Sequence, residues 1–130
     1  MQPARPLVLV VDDDPTICDL VRELLESEGY RVECAPDGAG GLARLATGEV
    51  GLVLIDARLP GMSGAELCQR IRREASGARL PVILFTAMAG DIEGYAAAAG
   101  ADEALPKPFD LDDLLACVRR WLPALGPAAG

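Results

Sequence analysis

The sequence predicts an α/β fold in which five parallel strands form one doubly wound sheet, in the order 2-1-3-4-5, with five helices covering it. Short runs of branched and apolar residues, of the length that suits buried strands, recur along the chain. Stretches with apolar residues at helical spacing separate these runs, and parallel strands need such crossover connections. Acids, a hydroxyl and a lysine stand at the ends of the runs, where open α/β sheets place their ligands.

The predicted strands are short and apolar, and turn residues bound them. They lie at residues 6–11, 30–34, 52–56, 80–86 and 103–105. The third is the clearest, because its apolar run ends in one carboxylate, Asp56, and Pro60, Gly61 and Gly64 then enforce a turn. We therefore expect Asp56 at the carboxyl end of a central strand.

Capping residues predict where the first two helices begin. Aspartate suits the cap of a helix and proline its first turn, so Asp14 and Pro15 indicate the start of the first helix, which Gly29 ends. Its predicted apolar stripe consists of Ile17, Leu20, Val21 and Leu24. Residues 37–46 show a weaker helical pattern, and each glycine there costs about 1 kcal/mol relative to alanine, so a soft second helix is expected.

The last three helices differ in how clearly the sequence marks them. Ser63 and Glu66 form a capping box at the third, whose predicted inner face is Leu67, Cys68 and Ile71. Its basic residues, expected to be solvated, are Arg70, Arg72 and Arg73. The fourth, residues 91–99, is alanine-rich and interrupted by Gly94, which predicts the least firmly held helix. Asp110 caps the fifth, whose stripe is Leu111, Leu114, Leu115, Val118 and Leu122.

One domain accounts for the chain. Its 130 residues suffice to bury roughly two thirds of the unfolded surface without disulfides or a structural metal. We assign residues 1–5 to an N-terminal tail, residues 6–122 to the domain, and residues 123–130 to a C-terminal tail or the start of a linker.

The net charge of −8 argues against nucleic acid as a direct partner, because phosphate neutralisation needs a basic surface. Cations and basic protein surfaces fit better. No secretory signal or apolar run of membrane-spanning length is evident in the sequence, so a cytoplasmic location away from the membrane is expected.

The cysteine and histidine content limits the kinds of site that the chain can form. The cysteines lie far apart without a CxxC pair, and we predict that they are unpaired core residues in a reducing compartment. They are Cys18, Cys34, Cys68 and Cys117. The chain has no histidine, which removes the usual general base and the triads that depend on it.

Polar residues that follow neighbouring strands are predicted to meet in one crevice. They are Asp12 and Asp13 after the first strand, Asp56 after the third, Thr86 after the fourth and Lys107 after the fifth. Clustered acids do not all ionise cheaply, and Mg²⁺ with oxygen ligands relieves their repulsion. Asp56 could then attack phosphorus while Thr86 and Lys107 contact the other oxygens of a transferred phosphoryl group.

Four motifs make the chain resemble a response regulator receiver domain of two-component signalling, which implies a flavodoxin-like, receiver-like fold. The motifs are VVDDDP at 10–15, LIDARLPGMSG at 54–64, PVILFTA at 81–87 and AGADEALPKPF at 99–109. The resemblance extends over about residues 6–122, and the four motifs in this order are highly specific.

The resemblance implies roles for the acids. Asp56 would be the phosphoacceptor, taking a phosphoryl group from the phosphohistidine of a sensor histidine kinase or a histidine phosphotransfer protein. Asp13 would bind Mg²⁺ directly, Asp12 would bind it through water, and the backbone carbonyl of Arg58 would be a further ligand. The domain would catalyse only its own phosphorylation and dephosphorylation and would not otherwise be an enzyme.

The resemblance also implies how the signal leaves the site. Thr86 and Lys107 would hold the phosphoryl oxygens, and the bond between Lys107 and Pro108 would be cis. The face made by the fourth helix, the fifth strand and the fifth helix would switch the binding of a downstream output domain or protein. A weak dimer on phosphorylation would be compatible with this scheme.

Two positions depart from the family pattern. Ala104 stands where receivers usually carry an aromatic side chain that rotates when Thr86 shifts. We therefore expect phosphorylation to perturb residues 87–100 far more than the fifth strand, with Tyr95 as the aromatic that could follow Thr86. Arg58, two residues after the acceptor, is expected to cover the site and lengthen the phosphoryl lifetime.

Two other functions are compatible with parts of this pattern. Haloacid dehalogenase-like phosphatases also use an aspartate nucleophile, but they need a second aspartate where this chain has Arg58. A receiver-like interaction module that works without phosphate is the alternative that stays open.

Overall fold

The computed structural model describes residues 5–74 and 79–124, and strands and helices alternate along these ranges. The strands are β1 (Leu7–Val11), β2 (Arg31–Ala35), β3 (Val50–Asp56), β4 (Val82–Thr86) and β5 (Glu103–Pro106). The helices are α1 (Pro15–Ser27), α2 (Gly38–Leu45), α3 (Gly64–Arg73), α4 (Ile92–Ala99) and α5 (Leu111–Trp121). All pairings are parallel and the order is β2-β1-β3-β4-β5, which confirms the predicted fold.

The side chains of the central strands alternate between two apolar clusters, one on each face of the sheet. In β1, for example, Val8 and Val10 belong to one cluster and Leu9 and Val11 to the other. Helices α1 and α5 complete the first cluster, and α2, α3 and α4 complete the second. Because both faces are covered, the three central strands are buried along most of their length, as their continuous apolar runs predict.

The predicted caps form. The Asp14 carboxylate accepts from the backbone N–H of Thr16, and the Ser63 hydroxyl accepts from that of Glu66. Asp110 accepts in the same way from the first turn of α5. These bonds place the starts of α1, α3 and α5 where the sequence predicts them.

The glycines of α2 serve close packing. A Cβ atom on Gly41 would lie 3.0 Å from a methyl carbon of Val11, so this helix approaches β1 more closely than one with larger residues there could. Gly41 lowers the helix propensity of α2, but it allows the helix to pack more closely against the sheet.

Some predictions about side-chain exposure and element boundaries are wrong. Leu20 and Leu111 are exposed, because the inner faces of their helices are centred instead on neighbouring residues such as Val21 and Leu114. Pro106 belongs to β5 and not to the turn that follows it.

Arg72 is also misassigned as a solvated surface charge, because only 22% of its side chain is exposed. Its Nε donates to the carbonyl of Gly100 at 2.8 Å, and its Nη2 pairs with Asp102 at 2.8 Å. Its Nη1 donates to the carbonyl of Leu80. The guanidinium thus joins α3 to the end of α4 and to the segments that lead into β4 and β5, a convergence that only the fold creates.

The structure corrects the prediction for two of the four cysteines. Cys18 and Cys34 form a disulfide with their Cα atoms 6.3 Å apart, because α1 packs over β2 and brings the two residues together. Cys68 and Cys117 are free, buried thiols, as predicted. Burial raises the pKa of Cys68, and it raises the pKa of Cys117 to about 12 with help from the neighbouring Glu103 carboxylate.

The ends of the domain are only partly described. Residues 1–4 and 125–130, which hold most of the two predicted tails, lie outside the described residues. The hydroxyl of the buried Tyr30 donates to the carbonyl of Leu122 at 2.6 Å, so the chain is still attached to the domain at that point. None of the helices within the described ranges has the length and apolar character needed to cross a membrane.

Candidate functional site: an acidic cluster with a lysine

The carboxyl ends of β1, β3, β4 and β5 place the predicted polar residues at one edge of the sheet. Asp12, Asp56 and Thr86 are buried, with 4%, 8% and 3% of their surface exposed. Asp13 is exposed, and Lys107 reaches the cluster from the turn after β5. This is the crevice that the strand order predicts, and in it Lys107 contacts both Asp12 and Asp56.

The turn after β3 fixes the position of Asp56. Its Oδ1 accepts from the backbone N–H of Arg58 at 3.1 Å. Gly61 adopts a φ of 79°, a region that favours glycine. A Cβ atom on Gly64 would lie 2.3 Å from the carbonyl oxygen of Asp56, so only glycine lets α3 start this close to the end of β3.

The loop after β1 is held by its own backbone and by β2. The N–H of Asp12 donates to the carbonyl of Ala35 at 3.0 Å, and the N–H of Asp14 donates to Asp12 Oδ1 at 2.9 Å. These bonds hold Asp12 inside the crevice, while Asp13 stays at the mouth of it.

Lys107 connects the two buried acids. Its Nζ lies 2.8 Å from Asp12 Oδ2 and 3.2 Å from Asp56 Oδ2. Burial lowers the pKa of the Lys107 ammonium, but the hydrogen bond and charge of Asp12 and the charge of Asp56 outweigh it, so the pKa is raised. The lysine is therefore a fixed cation beside the Asp56 carboxylate.

The acids also fit a divalent cation. One carboxylate oxygen from each of Asp12, Asp13 and Asp56 lies within 4.8 Å of the others, close enough for a single ion to bridge them. An all-oxygen donor set of this kind suits Mg²⁺ and offers nothing to a soft metal. The role of the Arg58 carbonyl as a further ligand stays a prediction.

A cleft of about 400 Å³ opens beside Asp56. Its lining consists of Asp56, Ala57, Arg58, Thr86, Ala87, Met88 and Lys107. The Thr86 hydroxyl accepts from the backbone N–H of Met88 at 3.1 Å, which ties the hydroxyl to the loop that leads into α4.

Met88 is the cleft residue that sequence reasoning missed. It is 46% exposed, and with the exposed Arg58 it flanks the mouth of the cleft. The available signal was its position, since it follows Thr86 by two residues as Arg58 follows Asp56. The bond between Lys107 and Pro108 is cis, as the resemblance implies.

Comparison with known proteins gives the family that the four sequence motifs resemble. Residues 8–119 match the family described as the response regulator receiver domain. The chain is 42% identical over 120 residues to the DNA-binding dual master transcriptional regulator RpaA of Synechocystis, which covers 90% of this chain and 49% of the relative. It is 39% identical over 124 residues to the response regulator MprA of a Mycobacterium species, covering 95% and 53%. The chain thus spans about half the length of the curated relatives it matches.

Solved structures agree with the fold. The chemotaxis response regulator CheY4 of Vibrio cholerae is 30% identical, with a TM-score of 0.84 over 90% of this chain and 98% of that one. The receiver domain of the sensor histidine kinase PA1611 from Pseudomonas aeruginosa, solved with a magnesium ion coordinated in its active-site cleft, is 31% identical. Its TM-score is 0.81 over 89% of this chain and 96% of that one.

Proposed function

Because the chain belongs to the response regulator receiver domain family of two-component systems, we propose that it accepts a phosphoryl group on Asp56. The donor is the phosphohistidine of a sensor histidine kinase or of a histidine phosphotransfer protein. The observation that carries this proposal is the placement of the Asp56 carboxylate, which lies at the end of a central strand, 3.2 Å from Lys107 Nζ.

The chemistry needs little beyond positioning. A carboxylate oxygen of Asp56 forms a bond to phosphorus while the bond from phosphorus to the donor nitrogen breaks, and the electron pair of that bond stays with the nitrogen. A carboxylate nucleophile has no proton to lose, so attack by Asp56 requires no general base, which agrees with a chain that has no histidine. Lys107 and the Thr86 hydroxyl then hold phosphoryl oxygens.

Mg²⁺ is the proposed cofactor, held by Asp12, Asp13, Asp56 and the carbonyl of Arg58. When bound, it neutralises charge on the phosphoryl oxygens. The contribution of the three acids would be to hold the ion in the crevice. We propose no enzymatic activity beyond the domain's own phosphorylation and dephosphorylation.

Incubation with acetyl phosphate and Mg²⁺, followed by intact-mass measurement, tests the proposal. We expect one added phosphoryl group in the wild type and none in Asp56→Asn, whereas Asp19→Asn, an exposed aspartate on α1, should be labelled like the wild type. Labelling of Asp56→Asn at the wild-type level would refute the acceptor assignment. Absence of labelling in the wild type would favour the receiver-like module that works without phosphate.

Binding of Mg²⁺ is tested separately, by thermal denaturation. Mg²⁺ should raise the Tm of the wild type by mass action, because it relieves repulsion among acids that only the folded chain clusters. Asp13→Ala should abolish the rise. If the rise persists in that variant, the ion binds elsewhere on the domain.

We propose that the signal leaves through the face formed by α4, β5 and α5, with α4 as the element that moves. Ala104 on β5 has no side-chain rotamer to change, whereas the Thr86 hydroxyl is bonded to the loop that leads into α4. A beryllofluoride adduct should therefore shift the backbone amide resonances of residues 87–100 more than those of residues 103–105. Large shifts confined to β5 would contradict this.

The remaining partners follow from the same scheme. Downstream, this face would bind an output domain or protein, and phosphorylation could strengthen a weak dimer. The net charge of −8 favours protein partners over direct nucleic-acid binding by this domain, although one relative is a DNA-binding regulator. We place the domain in the cytoplasm, where histidine kinases phosphorylate receivers.

A further inference from the structure

We propose that Cys18 and Cys34 form a reversible thiol–disulfide site that exchanges with low-molecular-weight thiols and their disulfides, with Cys34 as the sulfur that reacts. The bridge joins the second turn of α1 to β2, which is an edge strand of the sheet. An edge position leaves one side of this strand open to small molecules from solvent.

The two sulfurs differ in accessibility. Cys18 is 8% exposed and belongs to the buried face of α1, whereas Cys34 is only partly buried. Thiol–disulfide exchange needs access along the line of the bond that breaks, so an incoming sulfur meets Cys34 first. Cys18 is then the partner that leaves on reduction and that closes the bridge on oxidation.

A cation stands beside the accessible sulfur. Arg22 Nη2 lies 3.7 Å from Cys34 Sγ, one turn along α1 from Cys18. A neighbouring guanidinium stabilises a thiolate, which is the form of cysteine that attacks a disulfide and that leaves when a mixed disulfide is resolved. Cys68 and Cys117 lack this combination, because both are fully buried.

We expect the domain to keep its fold when the bridge is open. Two apolar clusters cover both faces of the sheet, and a domain of this size is stable without a staple. A bridge that can open while the fold persists is the kind that serves as a modification site, since its sulfurs return to the same positions when it closes again.

Reduction of the bridge proceeds through two thiol–disulfide exchange steps. On reduction, a small thiolate attacks Cys34 Sγ, the bond between the two cysteine sulfurs breaks, and Cys18 Sγ takes the electron pair and a proton. A second small thiolate attacks the small molecule's sulfur in the mixed disulfide and releases Cys34. Two electrons pass from two small thiols to the bridge, and oxidation by the small disulfide runs through the same steps in reverse.

The test starts with the wild-type protein under native conditions. Reduced glutathione should add the mass of two hydrogen atoms, with two thiols then open to alkylation, and oxidised glutathione should reverse the change. Cys68 and Cys117 should stay unmodified throughout, which shows that the fold is intact. A bridge that opens only in denaturant, or thiols that oxidised glutathione leaves unpaired, would overturn the proposal.

Single variants identify the reacting sulfur. With oxidised glutathione, Cys18→Ser should accumulate a mixed disulfide at Cys34 about tenfold faster than Cys34→Ser accumulates one at Cys18. Equal or reversed rates would overturn the assignment of Cys34. Adding Arg22→Gln to Cys18→Ser should slow the reaction severalfold, whereas adding Arg70→Gln, an exposed arginine on α3, should leave it unchanged. Equal slowing by both arginine changes would remove the role of Arg22.

Discussion

Helix α4 lies against one face of β5 and helix α5 against the other, and the alternation of the strand offers them different partners. Ala104 points to the side of α4, where Ala96 and Ala99 are the buried residues of the helix. Leu105 points to the side of α5, which buries Leu114, Cys117 and Val118. Since burial stabilises roughly in proportion to apolar area, α5 is held more firmly by packing than α4.

Polar contacts increase the difference in how firmly α5 and α4 are held against β5. The Glu103 carboxylate on β5 accepts hydrogen bonds from the Cys117 thiol, the Arg120 guanidinium and the Trp121 indole, all on α5. On the other side, Arg72 holds the carbonyl of Gly100 at the far end of α4. The end of α4 nearer to Thr86 follows an exposed loop, residues 87–91.

Of the two helices, α4 is the one whose displacement costs less free energy, at its end nearer to Thr86. Displacing α5 would break apolar packing and the Glu103 contacts together, whereas the near end of α4 could tilt while Arg72 holds its far end. Elements that move in signalling are drawn from the less stable parts of a fold, and α4 meets that description.

The largest effect that separates the two helices should come from shortening one inward-facing side chain on each. Leu114→Ala removes fully buried methyl groups from α5 and should lower the free energy of unfolding by about 2–5 kcal/mol. Tyr95→Ala on α4 should cost less, about 1–2 kcal/mol, because Tyr95 is half-buried. Urea denaturation measures both, and an equal cost would remove the contrast in packing.

A smaller effect is expected from releasing the far end of α4. Arg72→Gln loses charge-assisted hydrogen bonds to Gly100 and Asp102 and should cost about 2 kcal/mol. Arg70→Gln, an exposed change on the same helix, should stay within about 0.5 kcal/mol of the wild type. Amide hydrogen exchange within α4 should accelerate only in the first variant, and unchanged protection there would show that other contacts hold the helix.

The smallest effect concerns the charge of Glu103. Burial raises the pKa of this carboxyl, but hydrogen bonds from Cys117, Trp121 and Arg120 outweigh it, so the pKa is lowered. Because the pKa of Glu103 is lowered on folding, its charged form stabilises the domain at pH values above 4.5, the ordinary pKa of glutamate. This contribution is lost as pH falls through the folded-state pKa. Glu103→Gln should therefore lower Tm modestly at pH 7.

The same variant has a built-in pH control. Below the folded-state pKa, wild-type Glu103 is protonated and resembles glutamine, so the two proteins should melt alike in acid. Fluorescence of Trp121, the single tryptophan, should differ between them near neutral pH. Glu23→Gln, an exposed change on α1, should alter neither quantity. A Tm difference that persists in acid would show that the charge is not what holds α5.

Much of the site could be predicted because its residues follow strands. An acid placed after a buried run has to emerge at the carboxyl edge, so the meeting of Asp12, Asp56 and Lys107 follows from strand order alone. Arg72 could not be predicted in this way. Within the described residues its hydrogen-bond acceptors include two backbone carbonyls and Asp102, which no periodic pattern in the sequence marks.

The order of elements, the caps, the two faces of the sheet and the polar residues of the crevice could all be predicted from the sequence. Each depends on local propensity or on a period of two or 3.6 residues. Three other contacts depend on the packing of helices against the sheet: the bridge between Cys18 and Cys34, the bond from Arg72 to the end of α4, and the hydrogen bonds from three α5 side chains to Glu103. These contacts join residues distant in the chain, and the distances between such residues are set by how helices lie on the sheet.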